Sequence, residues 1–87
     1  MTRLWTDGDP LSDVVVDARG DVLAFTWQER AHTVQQILQC WHVDADWWSE
    51  QGEVERDYVR LLTFSGLMCE LFYDHITNVW RFSRVYD

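Results

Sequence analysis

The chain has no lysine, one proline, four glycines and two cysteines among 87 residues. Each shortage excludes something. Fifteen acids face seven arginines, a formal charge of −8, so the long-range field repels phosphate backbones and anionic lipid. Binding of nucleic acid over the whole surface is therefore disfavoured. No run approaches the eighteen or more apolar residues of a membrane span, and Met1 to Asp7 lacks the apolar stretch of a signal peptide. The expectation is a soluble cytoplasmic protein with no membrane partner. Two cysteines, Cys40 and Cys69, read as buried thiols rather than as a disulfide framework. The glycines, at 8, 20, 52 and 66, are too scattered for a phosphate-cradling loop.

Aromatics are abundant instead: six Trp, three Tyr and four Phe. A 10.4 kDa chain has room for one core, and these side chains fill it densely. Residues 1–11, with Gly8, Asp9 and Pro10, read as a flexible N-terminal segment, and 12–87 as a single small β domain. Val14-Val15-Val16 and Val22 to Trp27 flank Gly20, which predicts a hairpin. Residues 31–41 fit either period. Val34, Ile37, Leu38 and Trp41 have helical spacing, but the β-branched residues and the short turn behind Trp27 favour a strand. Asp44 ahead of Trp47-Trp48, with Gly52 behind, predicts one capped helical turn near residues 44–50. Val54 to Phe64, Leu67 to Tyr73 and Val79 to Tyr86 form a meander. The expected fold is mainly β: a small antiparallel sheet or partly open β-barrel of five to six strands with that helical turn. Strict alternation along the last strand puts Trp80, Phe82, Arg84 and Tyr86 on one face.

Catalytic constellations are thin. His32, His42 and His75 fall in separate segments and are expected to stand apart, and Cys40 and His42 project to one face as a buried thiol beside a rim imidazole. Structural zinc commonly uses two closely spaced ligand pairs, and no C-x-x-C exists, so neither a metal nor any other cofactor is expected. The acids Asp7, Asp9, Asp13, Asp17 and Asp21 lack the order of a calcium loop and read as a solvated rim. No catalytic residue is assigned, and the chain reads as a non-enzyme.

Arginine and aromatic chemistry remains, the chemistry of binding hot spots. Trp41, Trp47 and Trp48 cluster within eight residues, and adjacent Trp47 and Trp48 cannot both turn inward, so one is an exposed anchor. Arg56, Arg60, Arg81 and Arg84 fall in the C-terminal meander, with Arg56 and Arg60 on one face. Residues 51–87 hold four Arg against six acids, a charge of −2, whereas residues 1–50 hold three against nine, or −6. Cross-strand Arg–carboxylate pairs are the ordinary expectation for those arginines, and a strip for single-stranded nucleic acid is the alternative.

The stretch Trp41-His42-Val43-Asp44-Ala45-Asp46-Trp47-Trp48, the Tyr58-Val59-Arg60-Leu61 run and the ending Trp80 to Asp87 resemble a small bacterial domain of unknown function. The pattern, over about residues 22–87, is also similar to the C-terminal tail of ImuB-type proteins, catalytically inactive relatives of Y-family polymerases. The resemblance implies a protein-binding role near translesion synthesis, at Trp41, Asp44, Trp47, Trp48, Trp80, Tyr86 and Asp87, with a mutasome component as partner and no polymerase chemistry. The expected function is thus a non-catalytic protein-interaction module accessory to DNA repair, with partner-binding residues Trp41, Asp44, Trp47, Trp48 and Trp80. The alternative is an OB- or SH3-like binder of single-stranded nucleic acid through Arg56, Arg60, Arg81 and Arg84.

Overall fold

A computed structural model describes the backbone of residues 3–49 and 52–86, and the side chains of residues 4, 8–44 and 53–86. Seven strands follow in order: β1 Arg3–Pro10, β2 Ser12–Val16, β3 Val22–Trp27, β4 Arg30–Ser49, β5 Gly52–Thr63, β6 Met68–Asp74 and β7 Val79–Tyr86. They form one antiparallel sheet in the order β1-β7-β6-β5-β4-β3-β2, curled into a half-barrel. Five to six strands were expected; the seventh is β1, in the segment read as a flexible entry, which pairs with β7 at Arg3↔Val85 and Asp9↔Phe82. Among the described residues there is no helix, and so none long and apolar enough to cross a membrane.

The turns explain the strand boundaries. Between β2 and β3 the Asp17 carboxylate accepts from the backbone N–H of Arg19 (2.8 Å) and Asp21 (3.0 Å), and Gly20 takes φ +88°. β3 reverses into β4 through Gln28 and Glu29, both at positive φ, the signature of a two-residue primed turn whose twist suits the strands. At the β6–β7 turn the Asp74 Oδ1 accepts from Ile76 N (2.9 Å), and Asn78, at φ +59°, returns a backbone bond to Asp74.

β4 organises the molecule. Its first residues pair with β3 (Ala24↔Thr33, Trp27↔Arg30), and from Val34 it pairs with β5 as far as Ser49↔Gly52. Residues 31–41 are therefore strand, and the helical turn expected near 44–50 is overturned: residues 44–49 continue β4. Asp44↔Glu55 and Ala45↔Val54 pairing supplies the backbone partners that a short capped turn would have to find locally. Bulges let so long a strand curl.

Curling brings β3 over the inner faces of β5, β6 and β7. The core is Val22, Phe25, Val59, Leu61, Cys69, Leu71, Phe82 and Val85. Trp27 stacks on Phe82 with ring centroids 3.7 Å apart, and its indole N–H donates to Asp9 Oδ2 at 2.9 Å, which fastens β1 across the open side.

One bulge decides the chemistry of the outer face. Glu70 pairs with Arg84 but Leu71 with Phe82, so Ser83 is an extra residue in β7. The alternation changes phase there. Trp80, Phe82 and Val85 face inward, while Arg81, Arg84 and Tyr86 face outward with Glu70 and Phe72. The expectation that Arg84 shares a face with Trp80 is thereby overturned.

Candidate functional site

The outer face is built by cross-strand pairs. Trp41 of β4 sits opposite Tyr58 of β5, which sits opposite Phe72 of β6; Val43, Arg56 and Arg60 follow the same face by alternation. The rings form a row: Trp41 stacks on Tyr58 at 5.3 Å and 4° between planes, and Tyr58 meets Phe72 at 5.1 Å. Guanidiniums cover this row. Arg56 lies 4.4 Å over the Phe72 ring, Arg60 lies 4.9 Å over Tyr86 and 5.6 Å over Trp41, and Arg84 lies 5.6 Å over Tyr86. A groove of about 370 Å³ runs among them, with Leu4 and Val43 as its apolar walls.

Two carboxylates share the face in register: Glu70 lies between Arg60 and Arg84, and Asp74 lies opposite Arg56. The buried Glu70 carboxylate is engaged by the Ser83 hydroxyl (3.0 Å) and the Tyr86 hydroxyl (2.8 Å), not by an arginine. Among the described residues, Arg56, Arg60, Arg81 and Arg84 form no ion pair, and the Nε–H groups of Arg56, Arg60 and Arg84 are buried without an acceptor. The register thus makes the expected Arg and carboxylate side chains cross-strand neighbours, but among the described residues they do not close into ion pairs. Arg81 stands slightly aside, with Nη1 donating to Gly8 O at 3.5 Å.

The inner rim carries a second constellation. His42 of β4 pairs directly with Asp57 of β5, and His75 begins the β6–β7 turn, where its backbone N–H donates to Glu55 O at 2.9 Å. Asp57 bridges the two rings: His42 Nδ1 lies 2.5 Å from Oδ1 and His75 Nε2 lies 2.6 Å from Oδ2. The expectation that the three histidines stand apart is overturned for this pair, whose ring centroids are 6.0 Å apart. Antiparallel register, which no sequence spacing encodes, brings them together. His32 is elsewhere, stacked on Phe25 at 5.3 Å and 3.3 Å from Ser65 Oγ.

Electrostatics follow the geometry. The hydrogen bond to Asp57 raises the His42 pKa, and the bond from His42, with that from His75, lowers the Asp57 pKa. Burial, with the charge of Arg30, lowers that of His32. Cys40 is exposed rather than buried, a correction to the sequence reading, but it does share the His42 face as expected; desolvation and the nearby Asp21 and Asp57 charges raise its pKa. Cys69 is buried as expected, and desolvation pushes its thiol up to about 12.

The expected partner-binding residues divide. Trp41 lies on the outer face among the arginines. Asp44 shares the inner face with His42, and Trp80 packs there at 5.4 Å from Tyr73. The side chains of Trp47 and Trp48 lie outside the described residues, as does Asp87. Tyr86, a motif position of the resemblance, joins the arginine face. Sequence reasoning grouped Arg84 with Arg56, Arg60 and Arg81 as a candidate strip but put it on the Trp80 face; a bulge turns it to Arg56 and Arg60. It also missed Asp57 and the His42–His75 meeting, for which no sequence signal exists. No family model, curated protein or solved structure matches the chain.

Proposed function

We propose that the chain is a non-catalytic protein-interaction module whose outer face receives an extended acidic segment of a partner protein. The observation that carries this reading is the set of three guanidiniums, Arg56, Arg60 and Arg84, gathered on one face and forming no ion pair among the described residues. Each buried Nε–H without an acceptor costs about 1–3 kcal/mol, and arginines that turn toward incoming carboxylates gain the acceptors they lack. Leu4, Val43 and Trp41 add apolar area beside the charges, the mixture found in hot spots.

Two features favour a protein over single-stranded nucleic acid. The guanidiniums occupy the ring faces on which bases would stack. A polyphosphate must also approach a molecule of charge −8, whereas a short acidic segment brings fewer charges. The pathway reading, an accessory role in DNA repair with a mutasome component as partner, belongs to the same proposal and rests on the resemblance of residues 22–87.

Calorimetric titration with a short Asp/Glu-rich peptide carrying interspersed leucines, and separately with oligothymidine, tests the reading. The peptide is expected to bind, with a loss of about tenfold or more in Arg60→Ala/Arg84→Ala. Binding of oligothymidine in preference to the peptide transfers the face to the nucleic-acid alternative.

A further inference from the structure

We propose that His42, Asp57 and His75 bind one divalent transition-metal ion of the class that favours imidazole, zinc being the representative. The donors come from three separate stretches of chain, and one atom from each lies within 4.8 Å of the others. Two imidazoles and one carboxylate are a donor set that such ions accept while keeping one position open. Tetrahedral coordination at bond lengths near 2.0–2.1 Å sets donors about 3.3 Å apart, so the two His–Asp57 spacings of 2.5 and 2.6 Å must open while the imidazole nitrogens settle from within 4.8 Å to that separation. The ion takes the place of the protons they share, as metal binding to such ligands requires.

The site is accessible and held in shape. The side chains of His42, Asp57 and His75 are 46%, 52% and 35% exposed. His42 and Asp57 are fixed as a register pair on neighbouring strands. His75 is fixed by its backbone bond to Glu55, by the Asp74 turn and by edge-on packing against Tyr73 at 5.0 Å. The surrounding charge favours a cation. Asp44 and Glu55 add negative charge at His42 besides that of Asp57. His42 and Asp57 line a groove of about 300 Å³, with Cys40 and Trp80 beside them. A bound ion would clip β4, β5 and the β6–β7 turn together.

The test is titration of the metal-free 87-residue chain with zinc, followed by calorimetry and by thermal midpoint, with cobalt(II) as the spectroscopic stand-in. The wild type is expected to take up one ion at neutral pH, to melt at higher temperature when loaded, and to give the absorption of nitrogen- and oxygen-ligated cobalt. His42→Ala and His75→Ala should each weaken binding about tenfold or more, while His32→Ala leaves it unchanged. All three sites are at least partly exposed, so the variants keep the fold, which circular dichroism checks. No uptake by the wild type, or a His42→Ala/His75→Ala double variant that binds zinc as tightly, overturns the proposal.

Discussion

The inner and outer faces of the same sheet solve different problems with similar side chains. Inside, aromatic rings meet one another and aliphatic neighbours: Phe25, Phe82 and Trp27 close over Leu61 and Leu71, and the polar groups stay at the rim. Outside, the rings of Trp41, Phe72 and Tyr86 meet guanidiniums, and Arg56 Nη1 donates to the Tyr58 hydroxyl at 3.2 Å. The inner face is satisfied by its own chain. The outer face stacks its charges on aromatic rings but leaves hydrogen-bond donors unanswered, and this asymmetry separates a surface built for stability from one built for recognition.

The contrast predicts unequal mutational costs. Phe82→Ala should destabilise by about 3–5 kcal/mol in denaturant unfolding, because it removes a fully buried ring and leaves a cavity against Trp27 and Phe25. Arg60→Ala, by comparison, should change stability by under about 1 kcal/mol, since a half-buried cation stacked on rings loses little on truncation. An equal loss in the two variants would make the outer face structural and erase the distinction.

Gly8→Ala probes the seam between β1 and the outer face. Gly8 has φ +78°, and an added Cβ would lie 2.6 Å from Arg81 Cβ and 2.8 Å from Phe72 Cζ. A loss of about 1–3 kcal/mol is expected in the same denaturant assay, through strain at positive φ and overpacking. Unchanged stability would mean that β1 does not pack against Phe72 as described.

The cysteines sharpen the same contrast at lower cost. Cys40 is exposed and should be alkylated in the native protein, more slowly than a free thiol because its pKa is raised, and Cys69, with its thiol pushed up to about 12, only after unfolding. Mass spectrometry of the singly modified species locates the label, and native labelling of Cys69 would show that the core opens.

The smallest effect lies at the β2–β3 turn. Backbone N–H donors, that of Asp21 foremost, hold the Asp17 pKa below its ordinary value. Asp17 is therefore more acidic folded than unfolded, so its contribution is present above the ordinary carboxylate range and is lost as pH falls through the lowered folded value. Asp17→Asn should flatten the acid limb of the stability–pH curve slightly; an unaltered limb removes Asp17 from that account.

The sequence made much of this architecture legible. β-branched and aromatic runs marked the hairpin around Gly20 and the C-terminal meander, and period-two alternation put Arg56 with Arg60 and Cys40 with His42. What remained hidden depends on pairing between distant segments. The pattern of Asp44, Trp47-Trp48 and Gly52 suits a capped turn locally, but β5 pairs on either side of a register shift, at Ala45↔Val54 and Ser49↔Gly52, and the strand runs on. The extra Ser83 reverses the facing of Arg84 and Tyr86 relative to simple alternation. The meeting of His42, Asp57 and His75 follows from the register of β4 on β5 and the turn bond from His75 to Glu55, which no local spacing records.

The most direct test of the outer face is nuclear magnetic resonance of the arginine Nε–H groups during titration with the acidic peptide. The signals of Arg56, Arg60 and Arg84 should shift together and saturate, while the backbone signals of core residues Leu61 and Leu71 stay in place. Arginine signals that stay fixed while other residues report peptide binding would contradict the account.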